Sequence, residues 1–214
     1  MGTLERRERE KQQRRDDILR VARTLFFEKG FRETTIDEIA RSSELARGTI
    51  YLYFDNKEEI YVTVLEEGID ILHGLVHEAA SQECDPLTNL LNGHDAFMRF
   101  HDEYPQYYNV LMIDKLQIDD MLPEALKERI NSRTMSMVDF IASCLEDGAR
   151  QGYFRPMPFK EVALLQMGIS MGFAQMIDKC GRDMVQGSRE EFRQLMHDLI
   201  AMGVVDRSAV KETS

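Results

Sequence analysis

The stretch Thr34–Glu59, TTIDEIARSSELARGTIYLYFDNKEE, decides how this chain is read. Thr35-x-x-Glu38 is a capping box, in which a Thr hydroxyl and a Glu carboxylate satisfy amides left free at a helix start. Ile36, Ile39 and Ala40 then fall on one face. After the polar break Arg41-Ser42-Ser43-Glu44, Ile50 and Phe54 stand four apart and point inward together, which leaves Arg47, Gly48 and Tyr51 facing outward. Asn56-x-x-Glu59 is a second box and opens a further helix with Lys57 in its first turn. A short helix, a turn and a second helix with a polar, aromatic outer face form the layout of a helix-turn-helix.

The run Ala46-Arg47-Gly48-Thr49-Ile50-Tyr51-Leu52-Tyr53-Phe54, followed by Asn56-Lys57-Glu58-Glu59-Ile60, resembles the signature of the TetR family of bacterial transcriptional regulators. The resemblance covers the N-terminal part of the chain. It implies an all-α protein with an N-terminal three-helix helix-turn-helix domain and a C-terminal helical bundle that binds ligand and dimerises through its last two long helices. It also implies that ligand changes the angle between the two DNA-binding domains and so releases the operator. Arg47, Gly48, Thr49 and Tyr51 occupy positions that contact bases and phosphates in the family, with Tyr53 as a backbone contact. The chemistry is apt: an Arg can donate two hydrogen bonds to a guanine edge, and a Tyr offers a ring to a thymine methyl. Thr35 and Lys57 stand at helix starts, where an amide and an ammonium can hold a phosphate. Two positions depart from the family pattern, which commonly has Gly in the turn and Ser or Thr as the cap of the recognition helix. Here these are Glu44 and Ala46. If the turn needs a positive φ, a non-Gly residue there is strained, and the missing cap costs about 1 kcal/mol. The recognition helix is therefore expected to be less ordered without DNA than is typical.

Working outward, 214 residues with 43% hydrophobic and 30% charged residues read as a soluble globular chain of one domain or two small ones. No apolar run is long enough to span a bilayer, the best candidate, 162–177, being broken by Gln166, Ser170 and Gln175. With no apolar leader, the chain is expected in the cytoplasm, without membrane partners. Cys84, Cys144 and Cys180 are scattered and lack CxxC spacing, which argues against a disulfide framework or structural zinc. The net charge of −11 is unevenly placed: Lys+Arg and Asp+Glu balance over residues 1–60, so all the excess acid lies beyond. The first 15 residues carry six basic and three acidic side chains. The end proposed to meet DNA is thus the end that is not acidic.

Helix one is expected to run from this arm to Glu28, with Gly30 as its stop, and a long fourth helix to span about 57–81. Beyond Pro86 every segment reads as helix, at about 87–103, 106–117, 123–151, 159–179 and 188–203, with no alternating strand pattern. The expected organisation is a helix-turn-helix domain with its arm at 1–56, a connecting helix at 57–84, and a regulatory and dimerisation domain at 85–214. The 159–179 segment is apolar on every side, so it needs cover on every side, and a second copy of the chain is the natural second cover. The expected interface residues are Val162, Leu165, Gly168, Ile169, Gly172 and Phe173, together with Phe192, Leu195, Met196 and Leu199.

Twelve of the 13 methionines lie at or beyond Met98, which suits a pocket for apolar molecules, although Met is also ordinary core filler. The expected lining is Phe97, Phe100, Tyr104, Tyr107, Tyr108, Met112, Met137, Ile141 and Met171. His73 and His77 are four apart, and His94 and His101 one heptad apart, spacings that can bring imidazoles together on a metal but that solvated helix faces produce as well. No phosphate-binding Gly loop, G-x-S-x-G, HExxH or dinucleotide turn marks an enzyme, and no cofactor is expected. The reading is a homodimeric, sequence-specific DNA-binding regulator, a repressor released from a palindromic operator by a small, largely apolar effector. The alternatives are a metal- or redox-responsive regulator of the same fold and a helical dimeric scaffold without DNA activity.

Overall fold

The computed structural model describes the backbone of residues 3–80, 84–114, 118–184 and 189–205. These residues form α1 (Thr3–Glu33), α2 (Ile36–Ser42), α3 (Arg47–Ile50), α4 (Lys57–Ala79), α5 (Pro86–Glu103), α6 (Pro105–Asn109), α7 (Glu124–Arg150), α8 (Phe159–Met184) and α9 (Arg189–Val204). A π-helical turn, Val110–Asp114, and a 3-10 turn, Asp119–Met121, lie between α6 and α7. Among the described residues the sole β feature is an isolated bridge between Phe154 and Val205. The protein is all-α, with the helix-turn-helix at its N-terminal end.

The chain divides into two compact units that interleave along the sequence: Met1–Asp70 with Pro105–Arg133, and Ile71–Tyr104 with Thr134–Ser214. This differs from the linear division at 56 and 84, and side-chain chemistry explains why. The Tyr107 hydroxyl donates to Glu67 Oε2 (2.8 Å) and accepts from Arg23 Nη1 (3.0 Å), and Arg23 also reaches Glu67 at 3.1 Å. The Phe27 and Tyr107 rings meet edge-on at 5.0 Å. A Cβ at Gly68 would stand 2.8 Å from Leu111 and 2.9 Å from Tyr107, so α6 and the π turn lie directly on α4. Arg129 forks onto both oxygens of Glu66 (2.8 and 2.6 Å), and Arg133 pairs with Asp70. These contacts tie 105–133 to the first unit.

The core of that first unit is made of the residues whose spacing marks the inner helix faces. Ile18, Ala22, Phe26, Ile39, Ile50, Phe54, Ile60 and Tyr61 are all buried. Tyr61 is packed edge-on by Phe26 (5.1 Å) and Phe31 (4.9 Å). Each such ring removed from water contributes about 1.5–3 kcal/mol. Gly30 interrupts α1 at φ +78°, ψ 173°, the positive φ that a glycine adopts without steric cost, so the expected stop is present as a break. The basic arm is helical from Thr3 and continuous with α1. The segment expected as helix 106–117 forms α6 and the π turn, and residues 115–117 lie outside the described residues.

In the second unit Val138, Leu145, Phe154, Ala163 and Val204 form a core from α7, α8, α9 and the 151–158 link. Gly148 makes room for the Phe154 ring, which would lie 2.4 Å from a Cβ there. Arg155 ties the link to the end of α9: its amide donates to the Val204 carbonyl (3.1 Å) and its guanidinium to that of Gly203 (2.9 Å).

Candidate functional site

The helix-turn-helix is assembled as its capping signals require. The Thr35 hydroxyl accepts from the Glu38 amide (3.3 Å), and the Glu38 carboxylate accepts from the Thr35 amide (3.0 Å) and hydroxyl (2.9 Å). Lys29 adds a 2.5 Å ion pair to Glu38. This pair first, and the Thr35 bonds second, hold the Glu38 carboxyl down at about 2. In the turn, the Leu45 amide returns to the Ala40 carbonyl at 2.9 Å. Glu44 there adopts φ +56°, the left-handed conformation that the family pattern gives to glycine. Ala46 is the N-cap of α3 in an extended conformation with no side-chain cap bond. Both departures read from the sequence are therefore present in the backbone.

The α3 turn is anchored from beneath by Ile50 and Phe54, both buried, and Arg15 of the arm lies over the Phe54 ring at 4.7 Å. Its other side is turned outward: Arg47 and Gly48 are exposed and Tyr51 is 44% exposed, while Thr49 and Tyr53 are half-buried. Leu52, 75% exposed, is a large apolar side chain on this turn that the sequence reading did not assign. Arg47 is already held in place. Its Nη1 donates to both oxygens of Asp37 at 3.2 Å, and its Nη2 to the Tyr51 hydroxyl at 3.3 Å. The Nε–H and the second Nη2–H remain for a side-on fork of the kind that meets a guanine edge. Asp37 was missed because its role depends on α2 and α3 crossing, although its first-turn position on α2 was visible.

Lys57 is placed differently from expectation. Its ammonium is turned inward to the Phe31 carbonyl (2.8 Å) and the Thr34 carbonyl (2.9 Å), above the Phe31 ring at 4.1 Å. Burial lowers its pKa. It braces the end of α1 against the start of α4, and its charge is engaged there rather than free for a phosphate.

The second unit holds a cavity of about 440 Å³. Leu72 and Val76 of α4, Leu90, His94 and Phe97 of α5, Met137, Phe140, Ile141 and Cys144 of α7, and Met167 and Ser170 of α8 line it. Of the nine residues expected in the lining, Phe97, Met137 and Ile141 are there. Tyr107, Tyr108 and Met112 belong to the first unit instead, where Tyr107 makes the Arg23–Glu67 network. Phe100 is fully buried in packing, and Tyr104 stacks on it at 6.0 Å. Met171 does not border the cavity. Aromatic clustering in sequence misled here because α5 ends at Glu103 and the chain then enters the other unit.

On α8 and α9 the structure sorts the expected interface residues. Leu165 (67%), Ile169, Leu195 and Leu199 (60%) are exposed, and nothing lies within 4 Å of a Cβ at Gly168 or Gly172. Leu164, Met176 and Met202 extend this apolar face. Phe173 and Met196, by contrast, are buried in the unit's own core, and Val162 packs against its Ala163 cluster. The Phe192 side chain lies outside the described residues, as does that of Cys180. No group of three or more His, Cys, Asp or Glu able to hold a metal occurs among the described residues. His77 stacks on Phe140 at 4.0 Å, His94 bonds Ser170 and His101 bonds Asp102. Among the described residues no helix is long and apolar enough to cross a membrane.

A helix-turn-helix that presents Arg, Gly and Tyr, in a chain with a separate cavity-bearing helical unit, defines a DNA-binding transcriptional regulator. Residues 18–64 match the family model described as bacterial regulatory proteins, tetR family. The HTH-type transcriptional repressor KstR2 of Mycolicibacterium smegmatis is 28% identical over 145 residues, 67% of this chain and 68% of that protein. The fatty acid degradation regulator FadR from Bacillus halodurans has the same fold, with a TM-score of 0.69 at 18% identity, over 87% of this chain and 94% of that one. AibR, solved with isovaleryl coenzyme A and operator DNA, gives 0.66 at 19% identity over 87% and 97%. Residues 18–64 thus carry the helix-turn-helix of the tetR family, and the proteins that the chain matches beyond it are transcriptional regulators, not enzymes.

Proposed function

We propose that the protein is a homodimeric repressor that binds a palindromic operator through Arg47, Gly48, Thr49, Tyr51 and Tyr53, and that a small, largely apolar effector in the cavity of the second unit releases it. The observation that carries this reading is the outward presentation of Arg47 and Tyr51 from a turn anchored by Ile50 and Phe54. Arg47 reads a base edge, Gly48 lets the backbone approach, and Tyr51 with Leu52 supplies apolar contact to thymine methyls. Thr35 and the arm meet phosphates. The apolar face of α8 and α9, with Leu165, Ile169 and Leu199 exposed, is closed by a second copy of the chain, which matches the twofold symmetry of a palindrome. The effector acts by binding the conformation that does not fit DNA more tightly than the one that does, since equal affinity for both would shift nothing. The protein works in the bacterial cytoplasm, where its operator is.

Selection of bound fragments from the source genome tests the proposal. The expected result is a palindrome whose half-site centres are about 34–36 Å apart or a multiple of that. Leu165→Glu combined with Leu199→Glu is expected to give a folded monomer that no longer holds the operator. No enriched sequence, or a fully competent monomer, would overturn the proposal.

A further inference from the structure

We infer that the cavity of the second unit takes an uncharged, elongated, apolar molecule carrying one hydrogen-bond donor, which is recognised at the His94–Ser170 pair. This rests on the effector reading above and names the chemistry of that site.

The shape comes from helix register. Lining residues on α5 run from Pro86 to Phe97, and eleven residues at 1.5 Å each make a wall of about 16 Å. On α7 they run from Met137 to Asp147, so the cavity is a slot along the helices rather than a round pocket. The charge comes from the lining itself. Among the described residues that line it there is no Lys or Arg, and the one carboxylate, Asp147, is paired with Arg150. A carboxylate drawn into this wall would lose its water and find no cation.

The polar point is a buried pair on the wall. Ser170 Oγ stands 3.0 Å from the Gln166 carbonyl and 2.7 Å from His94 Nδ1, and Ser170 has a single hydroxyl proton. Both contacts are hydrogen bonds only if Ser170 donates to Gln166 and accepts from Nδ1–H. The imidazole proton is then on Nδ1, and Nε2 is a bare acceptor. Nε2 is buried and makes no hydrogen bond, and His94 as a whole is 6% exposed. Burial, helped by His197 and Arg193 of α9 and opposed by Asp95, lowers the His94 pKa to about 4, so at neutral pH the ring offers no positive charge to an anion. A ligand hydroxyl satisfies Nε2; an ether or ester oxygen does not.

Displacement of the neutral dye Nile red from the full-length protein at neutral pH, by 1-decanol, decanoate and butyl hexyl ether, tests this. With a carboxylic acid pKa near 4.3, only about one decanoate in five hundred is protonated at pH 7, so 1-decanol is expected to displace at least about tenfold better. It should also outcompete the ether, and His94→Phe should erase that advantage while His94→Gln keeps part of it. Decanoate or the ether equal to 1-decanol, or no displacement by any of them, would overturn the assignment. Operator binding measured in the same samples separates the two readings: intact operator binding with a failed ligand series sinks only the ligand class.

Discussion

Replacing Ala46 by Ser would supply the cap that α3 lacks. The recognition helix is a single turn, its Thr49 amide reaches the Ala46 carbonyl at 2.8 Å, and Ala46 makes no side-chain cap bond. A Ser hydroxyl at this extended position can accept from the Gly48 or Thr49 amide, which stabilises a helix start by about 1 kcal/mol. Glu44→Gly is a less clean perturbation. Relief of the left-handed φ of +56° would gain about 1–2 kcal/mol, but the added freedom of a glycine in the unfolded chain returns about 0.5–1 kcal/mol of it. For Ala46→Ser, 1 kcal/mol corresponds to about a fivefold smaller population of the opened turn, and the apparent operator affinity can tighten by no more than that factor. Amide exchange of the free protein over 46–53, with α2 as internal reference, reads the effect. Fast exchange over 46–53 relative to α2 in the parent and slowing in the variant are expected. Already slow exchange in the parent, or no change in the variant, would refute the reasoning.

Asp37→Asn should raise affinity for random duplex, by removing a negative charge from the DNA face, while weakening discrimination at the base pair read by Arg47, a preference worth about 1–3 kcal/mol. Binding to single-substitution operators checks this. Gly148→Ala places a methyl against the buried Phe154 ring and Pro86, and should destabilise the protein by about 1–3 kcal/mol, seen as a lower Tm with operator specificity unchanged. The Glu38 carboxyl, at about 2 in the fold against 4.5 unfolded, contributes stability that is fully present above 4.5 and lost as pH falls toward 2. Urea melts of Glu38→Gln should therefore differ from the parent at neutral pH and converge with it across that window.

The helix-turn-helix was legible because capping boxes and inward pairs are local signals. Thr35-x-x-Glu38 formed its box, Ile50 and Phe54 went inside, and Gly30 broke α1, all with partners close in sequence. The strain at Glu44 and the bare cap at Ala46 were legible for the same reason. What escaped depends on residues far apart in the chain. Lys57 turns to the carbonyls of Phe31 and Thr34, more than twenty residues earlier, and Asp37 meets Arg47 only once α2 and α3 cross. Tyr107 looked like pocket lining among other aromatics, but Arg23 and Glu67 hold it in the first unit. The all-round apolar pattern of α8 did resolve into one buried and one exposed face. Periodicity could not say that Phe173 and Met196 face inward while Leu165 and Leu199 do not.

The most direct test is fluorescence anisotropy of the full-length protein on its selected operator and on a scrambled duplex of equal length, across a salt series. The account predicts tighter binding to the operator, log-linear weakening with salt on both duplexes, and loss of the operator preference in Arg47→Ala and Tyr51→Ala with melting curves unchanged. Equal binding to both duplexes, or an operator preference that survives in both variants, would contradict it.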